Sequence, residues 1–159
     1  MIKNKILFLG LGNEILSDDG IGPRLVKDLA KKNQGKNIDF LTSSCGGLEI
    51  MERINGYGKV IFIDAIRTLK GNPGHIYHFI PSDFRETSNL SNLHDVNFIT
   101  ALHLGNVLDL DLPSDLHVIA VEIIEDREFS DRLTPALDKM YPEILEKVVS
   151  LTRKIGIAF

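Results

Sequence analysis

The 159-residue sequence has little cysteine, no tryptophan and no long hydrophobic run. Its single cysteine, Cys45, excludes an internal disulfide and is typical of a protein in a reducing compartment. No apolar stretch reaches the roughly 20 residues that a membrane-spanning helix needs. The first residues, 1–5, lead directly into a strand-like run without an h-region or a small-residue cleavage site, so no signal peptide is predicted. A cytoplasmic protein without membrane contacts is therefore expected.

The sequence also lacks an excess of positive charge. Its 18 Lys and Arg against 22 Asp and Glu give a formal net charge of −4, and no basic stripe with interleaved aromatic residues is present. These features exclude a general nucleic-acid-binding protein. The length and the absence of a linker or repeat predict one domain over residues 1–159, large enough to bury a core. We expect a monomer.

Strand-like and helix-like segments alternate along the chain. Short apolar runs bounded by glycine or aspartate predict buried strands, and apolar residues at helical spacing predict helices. This alternation predicts an α/β fold of three α/β/α layers, with a twisted, mostly parallel sheet between helices. The predicted strands are 6–9, 39–42, 60–63, 75–80 (an edge strand) and 117–121. One predicted helix begins at residue 21, and the others cover 48–54, 96–108 and 135–155. A polar loop is predicted over 81–93.

The segment 10–22, GLGNEILSDDGIG, has the glycines of a nucleotide-binding turn but not its other features. The dinucleotide fingerprint needs a third glycine where this chain has Ile15. The lysine and hydroxyl of a phosphate-binding loop are missing as well. Three acidic residues would repel a pyrophosphate at this position: Glu14, Asp18 and Asp19. A nucleotide site is excluded.

Two interpretations of the aspartate pair remain open on the sequence alone. Asp18 or Asp19 could cap the helix that follows, where a carboxylate accepts unpaired N–H groups. Alternatively, the pair could act together with Asp64, which is predicted to follow a buried strand directly. The carboxyl ends of parallel strands line one crevice, so these acidic residues can meet there although they are distant in sequence. Asp64 could equally be a cap or a solvated loop residue.

The segment 10–22 closely resembles the N-terminal signature of the hydrogenase maturation proteases. These aspartic-type endopeptidases trim the C-terminal tail from the large subunit of nickel–iron hydrogenases. Further resemblances follow in the same order along the chain, at GGLE (46–49), VIFIDA (60–65), SNLH (91–94) and LTPAL (133–137). The resemblance implies a phosphorylase/hydrolase-like sheet between helices and, as partner, the precursor of a hydrogenase large subunit.

The resemblance also implies a metal site. In the family, two acidic residues and a histidine bind a metal together, and the matching positions are Asp19, Asp64 and His94, with Asp18 as the second choice for the first position. Two carboxylates and an imidazole suit nickel, and zinc or cadmium could substitute. The expected ion is nickel carried by the substrate. Asp19 and Asp64 are then the expected catalytic residues.

A nucleophile of the serine or cysteine protease type is not apparent. Cys45 stands in a turn without an identifiable histidine partner, and Ser43 and Ser44 lack the flanking pattern of a nucleophile elbow. By resemblance to the family, Gly46 and Gly47 are the expected substrate-binding residues at the turn into the second helix.

The chain departs from the family after the last strand. Residues 121–128, VEIIEDRE, are acidic where relatives continue with small residues and a proline, and we expect this segment to border the substrate cleft. Two functions therefore compete. One is an endopeptidase acting once on each precursor, and the other is a non-catalytic nickel-recognition or assembly factor on the same scaffold.

Overall fold

A computed structural model describes residues 4–33, 35, 37–44, 46–85, 102 and 105–159 of the chain. The described residues form both strands and helices, in agreement with the predicted α/β class. The strands are β1 (Ile6–Leu11), β2 (Ile38–Ser43), β3 (Lys59–Ile66), β4 (Ile76–Phe79) and β5 (Asp115–Glu122). Three α-helices are described over their full length, α1 (Ile21–Lys32), α2 (Leu48–Ile54) and α3 (Pro135–Lys154), residues 102 and 105–107 are also helical, and 3-10 turns cover Ser17–Gly20 and Pro81–Arg85.

The strands form one five-stranded sheet in the order β2-β1-β3-β5-β4. All neighbours pair in parallel except β4, which runs antiparallel to β5 at the edge. The predicted mostly parallel sheet and its edge strand are thereby confirmed. The predicted end of the third strand at Ile63 is wrong, because β3 continues to Ile66 by pairing with β5 up to Glu122.

Alternating residues of each strand supply two cores, one on each face of the sheet. One core joins the sheet to α1 and α3, and it includes Phe8, Ile61, Ile63, Ile119, Leu25 and Val148. The other joins the opposite face to α2, and it includes Leu7, Leu9, Val60, Phe62, Met51 and Ile54. The predicted three layers are therefore present. None of the described helices is long and apolar enough to cross a bilayer.

The predicted helix 96–108 and loop 81–93 lie largely outside the described residues. Within the first, Leu102 is described and packs against the core on the α2 side of the sheet. Within the second, Pro81–Arg85 forms a 3-10 turn.

Glycines bring α1 onto the sheet at the carboxyl end of its strands. A Cβ atom at Gly22 would clash with the carbonyl oxygens of Leu11 and Ile63, and one at Gly12 would clash with the carbonyl oxygen of Asp19. Gly12 also has φ +137°, a conformation that L side chains rarely adopt. The glycines of the segment 10–22 therefore serve close backbone packing, which draws the first turn of α1 against the ends of β1 and β3.

Candidate active site

The sheet reverses its winding direction between β1 and β3. After β1 the chain passes outward to β2, and then it returns to add β3 on the other side of β1. In open α/β sheets, ligands bind in the crevice at the carboxyl ends of the two strands that flank such a point. The crevice between the ends of β1 and β3 is therefore where a functional site is expected from topology alone.

Asp64 lies at the β3 side of this crevice. The pairing of β1 with β3 ends at Gly10 and Ile63, so Asp64 is the next residue of β3 and pairs only with Ala120 of β5. Asp64 is thus inside the strand, rather than directly after it as predicted, yet it stands where β1 stops. Its side chain is half-buried, and its Oδ1 atom accepts the N–H of Ala65 at 2.8 Å.

Asp19 lies on the β1 side of the crevice. It belongs to the 3-10 turn Ser17–Gly20, which packs against β3. Its Oδ2 atom accepts the backbone N–H of Asn13 at 2.7 Å, and its side chain is half-buried. Asp19 and Asp64 therefore both lie at the carboxyl edge of the sheet, and their joint role in one site stays a prediction.

Asp18 has a different environment from its neighbour. It is fully buried, and its Oδ1 atom accepts the N–H of Thr134 at 2.7 Å. Its Oδ2 atom accepts the Thr134 hydroxyl at 3.0 Å and the N–H groups of Ile124 and Glu125 at 3.2 and 3.1 Å. Asp18 therefore joins the loop after β5 and the start of α3 to the segment that carries Asp19.

The capping interpretation of the aspartate pair is wrong. Within the described residues, no side chain caps the N-terminus of α1, where Gly20 is the N-cap residue. Asp18 instead accepts the N–H of Thr134, the N-cap residue of α3, and its negative charge lies at the positive end of that helix dipole. The partner could not be anticipated locally because it lies 116 residues further along the chain.

The third predicted ligand, His94, lies outside the described residues, and so does Cys45. Among the residues that the structure describes, no group of three or more His, Cys, Asp or Glu side chains could hold a metal ion. By strand alternation, Asp64 is on the same face as Phe62. Leu102, which follows His94 in the chain, packs on that face. The metal triad stays a prediction.

A polar cleft opens beside Asp19. Its volume is about 310 Å³, and Asn13 in its wall donates the hydrogen bond to Asp19. An ion pair of 2.8 Å joins Arg53 and Glu49 in the wall formed by α2. The lining residues are Gly12, Asn13, Glu14, Pro23, Thr42, Ser43, Ser44, Glu49 and Arg53.

The predicted substrate-binding glycines stand at the turn between β2 and α2, beside this cleft. A Cβ atom at Gly46 or Gly47 would meet no described atom within 4 Å beyond its chain neighbours, so internal packing does not demand glycine here. Gly47 has φ +66°, which favours glycine for conformational reasons. Substrate binding by these glycines stays a prediction.

Sequence reasoning did not identify Glu122 as a buried residue. Its side chain is only 1% exposed and accepts the N–H of Thr68 at 2.7 Å and the Thr68 hydroxyl at 3.1–3.2 Å. Burial, together with the charge of Glu122, raises the pKa of Tyr77. The only sequence signal was a glutamate that directly continues the apolar strand β5, in the segment that departs from the family.

The chain matches known proteins along nearly its whole length. Residues 23–151 match the family model described as hydrogenase maturation protease. The chain is 27% identical to the hydrogenase 2 maturation protease of Escherichia coli K12, over 96% of this chain and 93% of that one.

Solved structures agree with this match. The hydrogenase maturating endopeptidase HybD from E. coli superimposes with a TM-score of 0.76 at 26% identity, covering 97% of this chain and 95% of that one. The [NiFe] hydrogenase maturation protease HybD from Thermococcus kodakarensis gives 0.70 at 25% identity, covering 92% and 98%. With the α/β sheet and the acidic crevice, these matches show that the chain belongs to the hydrogenase maturation protease family and is an enzyme of the protease class.

Proposed function

We propose that this protein is the endopeptidase that removes the C-terminal extension from the precursor of a nickel–iron hydrogenase large subunit after nickel insertion. One observation carries the proposal. Two half-buried carboxylates, Asp19 and Asp64, both lie at the carboxyl edge of the sheet, where the winding reverses. This is the position at which the fold binds ligands.

In the proposed reaction, nickel is part of the substrate. Asp19, Asp64 and His94 offer the oxygen and imidazole ligands that nickel, zinc or cadmium accept. The triad thereby recognises a precursor that already contains its metal. Docking of the ion against the two carboxylates also brings the adjoining C-terminal segment to the crevice, so recognition and positioning are one event.

Proton transfer in the proposed reaction belongs to the same carboxylates. Asp19 or Asp64 takes a proton from the water that attacks the scissile carbonyl, and the protonated acid then donates it to the leaving amine. Each carboxylate has a backbone donor that fixes its orientation, from Asn13 in one case and from Ala65 in the other. The polar cleft beside Asp19 is the proposed path of the extended substrate.

The proposal is tested by mixing the purified protein with nickel-loaded large-subunit precursor and measuring the mass of the large subunit. We expect a shorter large subunit and a released peptide with the wild type. Asp64→Asn and His94→Ala should yield neither product. Glu143→Gln is the matched control, because this carboxylate is exposed on α3, where it forms an ion pair of 2.7 Å with Lys147. Binding without any shortening by the wild type would contradict the proposal and favour the assembly factor.

A further inference from the structure

Three loops at the carboxyl edge of the sheet present large apolar side chains to solvent. Ile15 is 55% exposed on the loop after β1, Leu69 is fully exposed on the loop after β3, and Phe129 is 83% exposed on the loop after β5. Because β1, β3 and β5 run parallel, these loops leave the same edge that carries Asp19 and Asp64. We call Ile15, Leu69 and Phe129 the docking rim.

The three loops are tied to one another. The N–H of Ser130 donates to the carbonyl of Ile15 at 3.0 Å, and the N–H of Ser17 donates to the carbonyl of Ser130 at 2.9 Å. Arg67 forms an ion pair of 2.9 Å with Asp126, which joins the loop after β3 to the loop after β5. The apolar side chains therefore stand on one connected support.

Glu122 holds the loop that presents Leu69. The buried carboxylate accepts both donors of Thr68, and the backbone carbonyl of Glu122 accepts the N–H of Gly74 at 2.8 Å. A Cβ atom at Gly71 would overlap the Glu122 carboxylate, so the loop lies directly on this group. Burying a carboxylate is unfavourable unless it is well hydrogen-bonded, and here its hydrogen bonds fix the shape of an exposed loop.

An ordered loop with an exposed apolar tip is well suited to binding. Single exposed apolar residues are common on protein surfaces and need no explanation. Here, however, such residues occur on three connected loops at one edge of the sheet. Hydrogen bonds to the buried carboxylates of Glu122 and Asp18 restrict the loop after β3 and the loop after β5. A preorganised surface loses little conformational entropy when a partner binds, and large apolar side chains are typical energetic anchors.

The charge around the docking rim restricts the partner. The loop after β5, residues 123–134, contains four carboxylates (Glu125, Asp126, Glu128 and Asp131) and two arginines, whereas Arg67 and Lys70 flank Leu69 on the loop after β3. The Glu125 carboxylate accepts the N–H groups of residues 126, 127 and 128, which holds this acidic turn in shape. A complementary partner surface is apolar at its centre and basic at the margin that faces the loop after β5.

We propose that the docking rim binds the large-subunit precursor at an apolar patch with basic margins, outside the segment that is cut. This inference rests on the proposed function, which supplies the partner. The rim lies at the same edge of the sheet as the crevice, so a protein that delivers its C-terminal segment to Asp19 and Asp64 approaches the rim as well. The enzyme's choice of precursor would then depend on the surface of the precursor as well as on the sequence that is cut.

The test measures the affinity for purified nickel-loaded precursor and the cleavage kinetics separately. Affinity is measured by calorimetry in an Asp64→Asn background, which blocks cleavage, and each rim variant is compared with Asp64→Asn alone because that substitution also removes one proposed metal contact. KM and kcat are measured with the active enzyme. We expect Leu69→Ser and Phe129→Ser each to weaken binding and raise KM by about tenfold, with kcat within twofold. Glu128→Lys should slow association and reduce its dependence on salt.

Leu108→Ser is the matched control, because Leu108 is also exposed but precedes β5, at the opposite edge of the sheet. It should leave affinity and KM unchanged. If both rim variants bind the precursor with wild-type affinity and the wild-type enzyme cuts normally, the docking role of the rim is contradicted while the proposed function stands. If the wild type binds the precursor through the rim but does not cut it, the docking role of the rim is supported and the proposed protease function is contradicted. Rim variants that abolish self-association but not precursor binding would assign the surface to a second copy and overturn the proposal.

Discussion

Asp18 and Asp19 are neighbours in the chain but occupy opposite environments. Asp18 is completely buried and accepts hydrogen bonds from Thr134, Ile124 and Glu125. Asp19 is half-buried at the crevice, and its carboxylate accepts the backbone N–H of Asn13. Adjacent residues therefore differ in position, since one carboxylate joins the loops and the other lies at the crevice where the proposed reaction takes place.

Exchanging each aspartate for asparagine should separate these tasks. Asp18→Asn places an amide N–H₂ against N–H donors and removes the charge, so we expect a loss of about 3 kcal/mol in the free energy of unfolding. Asp19→Asn keeps an oxygen for the N–H of Asn13 and should lose about 1 kcal/mol or less. Asp19→Asn should nevertheless abolish precursor cleavage.

Denaturant unfolding of the two variants, beside cleavage assays well below their midpoints, checks this prediction. Full cleavage by Asp19→Asn would show that the carboxylate is structural. An unchanged stability of Asp18→Asn would show that the donors of Thr134, Ile124 and Glu125 find other acceptors.

Individual residues of the site differ in how well the sequence predicts them. The position of Asp64 follows from a rule about strand ends, which depends only on a local apolar run and on the parallel arrangement of the sheet. Asp18 accepts hydrogen bonds from residues that lie 106 to 116 positions further along the chain. Glu122 accepts them from a residue that lies 54 positions earlier. No local pattern encodes such pairs, so neither buried carboxylate could be assigned its role.

At the scale of helices and strands, the site depends mainly on close contact between α1 and the ends of β1 and β3. We expect Gly22→Ala to destabilise the protein by about 3 kcal/mol or more, because the new Cβ would overlap the backbone of β1 and β3. Gly46→Ala is the matched control, since its Cβ meets no described atom within 4 Å beyond its chain neighbours.

Thermal unfolding of both variants tests the packing, and cleavage assays of Gly46→Ala test the predicted substrate contact. We expect Gly46→Ala to keep wild-type stability and to raise KM for the precursor. A stable Gly22→Ala protein would mean that α1 can shift away from the sheet at little cost. An unchanged KM in Gly46→Ala would remove Gly46 from the substrate path.

The segment after α2 is joined to β2 by a titratable hydrogen bond. Tyr57 donates to Asp39 at 2.8 Å. Burial, the hydrogen bond and the charge of Asp39 raise the pKa of Tyr57 from 10.0 to about 12. The unfolded chain therefore loses this proton before the folded one does. Stability from this link is fully present below pH 10 and is lost as the pH rises through about 12.

Replacing the titrating group isolates its contribution. We expect the free energy of unfolding of the wild type to fall more steeply between pH 10 and 12 than that of Tyr57→Phe. Burial and Asp28 also raise the pKa of Tyr141, but this tyrosine is present in both proteins and cancels from the difference. Parallel pH profiles of the two proteins would contradict the prediction.

Strand boundaries show why elements are predicted better than their ends. The apolar run 60–63 identifies β3, but the strand continues through Asp64 to Ile66 because β5 pairs with it as far as Glu122. Pairing between strands that lie far apart in sequence therefore sets the end, and the local composition does not. Helix α2 begins and ends as predicted, since Gly47 and Asn55 flank a short amphipathic turn.

At the scale of the whole molecule, the site joins contributions from distant parts of the chain. The loop after β1, the end of β3 and the loop after β5 meet at one edge, and Asp18, Glu122 and the Arg67–Asp126 pair hold them together. An edge that is ordered in advance loses little conformational entropy on binding, so these contacts favour affinity for the proposed precursor.

The metal in the precursor, rather than a protein nucleophile, should control cleavage. A serine or cysteine protease needs its nucleophile beside a base that a third group orients, and the acid–acid–histidine set at 19, 64 and 94 suits a divalent ion instead. We therefore expect nickel-free precursor to stay intact with the wild-type protein and to be cut after nickel insertion. Cys45→Ala should process the loaded precursor at the wild-type rate, and covalent serine or cysteine protease inhibitors should have no effect. The mass of the large subunit, measured by mass spectrometry, gives the result of each of these reactions. Efficient cleavage of nickel-free precursor in the presence of a chelator would contradict metal recognition, and loss of activity in Cys45→Ala would instead indicate a thiol nucleophile.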